Sequence, residues 1–310
     1  MNEPVVVTAY RTVAASRPSV RPARDRPKTL ALAALIAGAC AIAFAPILVR
    51  LADTGPVASA FWRCALAVPL LWAWALAGRA TGDPSRMSLR ALAGAGAFFA
   101  ADLGLWHFAV LFTSVANATL LGNISPIFVT LAGWLLWRQK VTSTYLVGMA
   151  AAIGGMLVLA GPNFGLHGTR VLGDALAALT GVFYAGYMLS IKAARDAGAS
   201  AARSTATSTT VTALVLLPVA LLQPHVFWPV SASGWLTVIG LAVVAQVLGQ
   251  GLIAYAFAHL PAPLCSVILL VQPVLAAVLA WMLFGEAIAP AQFFGGAIVL
   301  VGAWLSKKGS

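Results

Sequence analysis

The stretch FFAADLGLWHFAVLF, residues 98–112, is apolar except for Asp102 and His107. A carboxylate and an imidazole can bind cations, carry protons and accept hydrogen bonds. A charge at the centre of a membrane helix costs about 2.5–3.5 kcal/mol on insertion scales. Asp102 is therefore expected to face a bundle interior or water. With successive residues about 100° apart around a helix, Phe98, Phe99, Trp106 and Ala109 share the Asp102 face. A carboxylate among aromatic rings suits an ammonium group. Two other readings stay open: a buried pair with Arg63, and a protonated, uncharged acid. Gly96, Ala100 and Gly104 fall on the opposite face, and His107 continues it. Small residues four apart read as a helix-packing surface. His107 is thus either a structural histidine bonded to a packed neighbour or a substrate contact.

Further polar candidates recur in apolar surroundings. Thr119, Gly122, Asn123, Pro126, Thr130 and Gly133 share one face of their span. Pro126 cannot donate a backbone hydrogen bond and frees the Gly122 carbonyl; Pro273 does the same for Leu269. Free backbone at membrane depth is tolerated where it lines a cavity, so the two prolines are expected to bend paired helices around a site. Gln246 and Gln250 lie four apart with Phe257 on their face, and Thr180, Tyr184 and Tyr187 share another. Each amide or hydroxyl could line a cavity or make an interhelical hydrogen bond. The run Ser204, Thr205, Thr207, Ser208, Thr209, Thr210 and Thr212 could wet a wall or bond its own helix backbone. The expected substrate contacts are Asp102, Trp106, His107, Asn123, Tyr184, Tyr187, Gln246 and Gln250.

The elements that position these groups follow from composition. The chain has 310 residues, 61% hydrophobic and 9% charged, where soluble domains carry about 25% charged residues. Apolar runs long enough to cross a bilayer recur, at about 29–49, 57–77, 90–111, 114–137, 142–160, 172–191, 204–222, 235–258, 262–284 and 288–306. The expected fold is an all-α polytopic bundle of ten transmembrane helices. The period-two alternation of a membrane β-barrel is missing. Connections are short, so function must lie inside the bundle. Residues 1–28 read as a disordered basic cytoplasmic tail, with no cleavable signal peptide, and 307–310 as a second cytoplasmic tail. Cys40, Cys64 and Cys265 fall within apolar spans and read as small buried side chains.

The net charge of +11 does not call for nucleic acid. With the N-terminus inside, 16 of the 19 Lys and Arg fall on the cytoplasmic side, leaving Arg50, Arg63 and Arg170. That is the positive-inside bias, and it supports ten spans with both termini in the cytoplasm; the expected location is a bacterial inner membrane. The chain also repeats itself. A shift of 147 places Pro126 on Pro273, Trp134 on Trp281, Gly148 on Gly295 and Gly155 on Gly302, and LAAL at 32–35 recurs at 176–179. Residues 29–160 and 172–306 thus form two halves of five spans. Because five is odd, the second half enters the membrane in the opposite sense, an inverted repeat characteristic of secondary transporters.

The helix with Pro then Trp, the turn Gly285-Glu286, then Gln292, Gly295 and Gly302 resemble the ten-helix branch of the drug/metabolite transporter superfamily. The first half departs from the pattern, with Arg138-Gln139 where the second has Gly285-Glu286. The resemblance implies a central cavity lined by helices one to four and six to nine, with five and ten peripheral. Within the superfamily the chain is most similar to bacterial amino-acid exporters, the aromatic group among them. The expected partners are a small-molecule substrate and the lipid bilayer.

The expected function is secondary transport of small metabolites, amino acids first, by alternating access and in the export direction. The alternative is proton-coupled efflux of cationic or lipophilic drugs through Asp102. Phosphate-bearing substrates call for two or more mid-membrane Lys or Arg, and Arg63 is the one candidate. An integral membrane enzyme is disfavoured: Asp53, Asp102, Asp174 and Glu286 are scattered, and no HExxH or paired-Asp motif occurs. No metal or cofactor is expected. Gly148, Gly155, Gly295 and Gly302 could pack a second protomer or their own neighbours.

Overall fold

A computed structural model describes residues 26–78, 89–113, 115–138, 140–160, 171–224, 226–285 and 288–310. The basic tail residues Arg11, Arg17, Arg21 and Arg24, together with Arg79, Arg86, Gln139, Arg170 and Glu286, lie outside them. The structure is the expected all-α bundle. We label its ten helical spans α1 (Arg26–Ala43 with Ala45–Leu51), α2 (Pro56–Ala77), α3 (Leu89–Phe112), α4 (Val115–Gly122 with Ser125–Trp137) and α5 (Ser143–Ala160). The second set is α6 (Val171–Asp196), α7 (Ala201–Leu222), α8 (Ala232–Gly240, Leu241–Gln250 and Gly251–Ala256), α9 (Ala262–Ile268 with Val271–Phe284) and α10 (Pro290–Lys308). Seven of these helices are long and apolar enough to cross a membrane, with shorter apolar helices at Leu120–Leu136 and Ser143–Leu159.

The packing repeats itself across the two halves. α3 lies against α6, and its counterpart α8 lies against α1; α4 touches α6 as α9 touches α1. The pairs α2–α7, α4–α9 and α5–α10 each join a helix to its own counterpart. Exchanging the helices of these pairs for the ones five places away therefore returns the same set of pairs, as an approximate two-fold axis requires.

Among the described residues, α5 and α10 make the most extensive pairing. A Cβ added at Gly148 would stand 2.7 Å from the Gly302 carbonyl, and one at Gly155 2.8 Å from that of Gly295. The shift of 147 makes these two contacts equivalents of each other. The four glycines thus pack against one another within one chain, bringing two backbones together as small residues do in membranes. Tyr145 of α5 ties this outlying pair to the bundle, donating to the Pro263 carbonyl at 3.0 Å and meeting the Thr130 hydroxyl at 2.8 Å.

Four spans are irregular. α1 is interrupted at Phe44, α4 at Asn123-Ile124 and α9 at Leu269-Leu270, and a proline follows each interruption: Pro46, Pro126 and Pro273. Each sits in the first turn of the following piece, where a missing N–H costs nothing. The sequence expectation of a bent helix is corrected here, because the prolines start new helices. α8 is π-helical over Leu241–Gln250, a geometry common at functional sites. At one end of the bundle, Asp53 after α1 accepts hydrogen bonds from the Ser231 amide and hydroxyl at 2.9 and 2.6 Å, clasping the start of α8. That hydroxyl and amide hold the Asp53 carboxyl below its ordinary pKa.

α4 and α9 end alike. Arg138 and Gly285, again 147 apart, both take left-handed backbone, at φ 50° and 67°. Glycine accepts that conformation freely; arginine does so at a cost of about 1–2 kcal/mol. Arg138→Gly is therefore expected to raise the thermal midpoint in detergent, and Gly285→Arg to lower it. Gly155→Val is expected to destabilise by about 1–3 kcal/mol through overpacking. The same change at Gly154, where an added Cβ meets nothing within 4 Å, is expected to leave the midpoint in place.

Candidate functional site

The interruptions converge. A cavity of about 160 Å³ is lined by Ala43, Ala45 and Pro46 at the α1 break, Gly122 and Asn123 at the α4 break, and Gln272 and Pro273 just after the α9 break. Gln250, the last residue of the π-helical stretch, joins them. At a liquid-like share of roughly 30 Å³ per water, the space holds about five waters, or one small organic molecule. Pro46 and Pro126 leave the carbonyls of Ile42 and Gly122 without a helical donor; both residues line the cavity. Backbone freed inside a membrane protein is placed where it can face a solute or water.

α3 supplies Phe99, Asp102, Leu103, Trp106 and His107 to the wall. These positions follow i, i+3, i+4, i+7, i+8, the broad stripe of a helix embedded on one side. This corrects the separation of Asp102 and His107 onto opposite faces: they are the two edges of one wide stripe. The packing surface behind it is real but narrower. Gly96 lies close enough to α7 that an added Cβ would stand 2.6 Å from the Ser208 carbonyl, and Gly104 faces Leu216 of the same helix. Phe98 turns to α6, its ring 6.2 Å from that of Phe183, and Ala109 packs with Ala118 and Ala177. Among the described residues His107 bonds no packed neighbour. Its Nδ1 donates to the Leu103 carbonyl of its own helix at 2.6 Å.

Arg63 reaches the same wall from α2. Its Nε donates to Gln246 Oε1 at 2.9 Å, and Gln246 Nε2 donates to the Thr209 hydroxyl at 2.9 Å. Its guanidinium carbon stands 5.8 Å from the centroid of the Phe99 ring. Among the described residues Arg63 and Asp102 form no direct ion pair. The anticipated buried pair is therefore replaced by two charges that share a cavity. An amide chain holds Arg63, and Asp102 remains available to a ligand.

Of the residues singled out from the sequence, Asp102, Trp106, His107, Asn123, Tyr184, Gln250 and Pro273 line the cavity. Tyr187 and Gln246 stand one layer behind. Tyr187 stacks on Phe99 at 4.6 Å and donates to Gln250 Oε1 at 3.0 Å. Beyond it the bundle is filled by Met188, Ile191, Phe257 and Leu264. Pro126 is buried but does not line the space. Four of the α7 hydroxyls turn to backbone: Thr205 donates to the Ala201 carbonyl, Ser208 to that of Thr205, Thr210 to that of Ala206, and Thr212 to those of Ser208 and Gly96. They knit the helix and do not wet a path. Sequence reasoning missed Gln272, whose neighbour Pro273 was the available signal, and the Ile42–Val49 wall, whose signal was Pro46. Among the described residues no three His, Cys, Asp or Glu side chains gather to hold a metal.

The model of the EamA-like transporter family matches residues 29–161 and again 171–307. The chain belongs to this family. This EamA-like chain of the drug/metabolite transporter superfamily is a multi-pass membrane protein with two such domains. It is 30% identical over 167 residues to an uncharacterized transporter of Archaeoglobus fulgidus, covering 52% of this chain and 56% of that one. A second uncharacterized transporter of the same organism is 25% identical over 219 residues, or 71% of this chain and 77% of that one. The chain thus spans little more than half the length of the first and about three quarters of the second. A solved crystal structure superposes with a TM-score of 0.73 at 18% identity, covering 92% of this chain and 99% of that one. That likeness speaks to fold alone.

The Arg63–Gln246–Thr209 chain carries its own prediction. Gln246→Leu leaves a buried guanidinium nitrogen without its acceptor and is expected to destabilise the transporter by about 1–3 kcal/mol. Thr209→Val, which removes only the second link, is expected to cost less. Thermal midpoints in detergent check both, and equal losses would mean that the chain does not hold Arg63.

Proposed function

We propose that this protein is a secondary transporter of small zwitterionic metabolites, amino acids first, working by alternating access in the export direction. One observation carries the reading: Asp102 and Arg63 occupy the same small cavity without pairing directly. A carboxylate receives an ammonium group and a guanidinium receives a carboxylate, so the wall complements both ends of an amino acid. Phe99, Trp106 and Tyr184 add aromatic faces that suit a cation or a ring. Asn123, Gln250 and Gln272 add hydrogen-bonding groups without fixed charge.

The cavity is a poor match for a phosphate ester, since Arg63 is the one Lys or Arg among its described lining residues. Efflux of an organic cation, with Asp102 carrying the exchanging proton, is the second reading. The guanidinium of Arg63 in the same wall weighs against it by opposing a second positive charge. The excess of Lys and Arg in the loops and tails supports an orientation with both termini in the cytoplasm, and the membrane we assign is the bacterial inner membrane.

Counterflow in proteoliposomes tests the function. Labelled amino acids are expected to exchange saturably, and Asp102→Asn to lose at least tenfold of that exchange while eluting and melting as a folded protein. Movement of a quaternary amine drug alone would transfer the assignment to efflux. Movement of a sugar phosphate alone would contradict both readings.

A further inference from the structure

His107 is 3% exposed, and its ring lies against that of Trp106, edge to face at 5.1 Å and 82°. Its Nδ1 faces the Leu103 carbonyl at 2.6 Å. A carbonyl only accepts, so Nδ1 carries the proton. In the neutral ring Nε2 is then left with a lone pair. That Nε2 is buried and has no hydrogen-bond partner among the described residues, although the side chain lines the cavity. Buried polar atoms are nearly always satisfied, so an unsatisfied one on a side chain that lines a binding cavity points to a ligand. On the α9 wall, Gln272 Nε2 is likewise a buried donor without a partner. The site therefore presents one unspent acceptor and one unspent donor beside its two charges.

Resting on the amino-acid reading above, we propose that His107 Nε2 is a specificity-determining acceptor, selecting amino acids whose side chains carry an N–H or O–H donor. The spacing on α3 supports the division of labour. Asp102 and His107 are five residues apart, about 7.5 Å along the helix and roughly 140° around it. An ammonium group held by the carboxylate of Asp102 is therefore remote from the far nitrogen of His107. A backbone separation of that size suits the span from an α-nitrogen to the polar end of a long side chain such as that of tyrosine. A solute lacking that donor would leave Nε2 desolvated and unpaired, which is how a binding site rejects a close isostere.

The test is competition for counterflow between matched solutes: tyrosine against phenylalanine, and tryptophan against naphthylalanine. In wild-type protein the donor-bearing member of at least one pair is expected to compete tenfold or more better. His107→Phe, which keeps a ring and removes the acceptor, is expected to bring that ratio to within about twofold. His107→Gln, which restores a carbonyl acceptor, is expected to recover part of it. Equal competition within every pair in the wild type, or a preference that survives in His107→Phe, would overturn the assignment while leaving amino-acid transport standing. Absence of exchange with any amino acid would remove both proposals together.

Discussion

Backbone amides and carbonyls at membrane depth must find partners inside the protein or face a polar space. In this transporter three spans break within the apolar layer, and residues at or just after each break line a single cavity. A fourth span, α8, ends its π-helical stretch on the same cavity at Gln250. The irregular backbone, the prolines that begin each new piece and the position of the cavity are thus one arrangement seen at three scales. The regular helices α5 and α10 do the opposite work. They pair through glycines, leave the site alone and join the two halves at their common axis.

The charges obey a related constraint. A guanidinium inside the bundle needs acceptors, and Arg63 finds one in Gln246, which Thr209 steadies in turn. Since this chain satisfies part of Arg63, the arginine does not need Asp102, and both groups can serve a solute. Tyr187 extends the same logic: it orients Gln250 from behind while its ring stacks on Phe99. Most of what shapes the cavity therefore lies one layer behind it.

Much of this was legible in the sequence, for identifiable reasons. Length and apolarity set the spans. The spacing of 147 between Pro126 and Pro273 marked two equivalent breaks, and it also relates the left-handed caps at Arg138 and Gly285. Asp102 stood out because an acid in an apolar helix needs a reason. Other features depended on three-dimensional placement. Assigning His107 to the packing face failed because α3 is embedded more deeply than a narrow stripe assumes. The π-helical stretch in α8 has no period that reading by α-helix geometry could detect. The hydroxyls of α7 resembled a wet wall by composition, yet every one that bonds backbone does so on its own helix or on α3.

The central claim is that the cavity where the breaks meet is where the solute binds. Ala276 lines it and is small enough to be replaced by cysteine in a background lacking Cys40, Cys64 and Cys265. The rate at which a small polar thiol reagent modifies Ala276→Cys, with and without a saturating transported amino acid, tests the claim directly. Modification slowed several-fold by the solute is the predicted result. Equal rates with and without a solute that the same variant demonstrably exchanges would place binding elsewhere in the bundle.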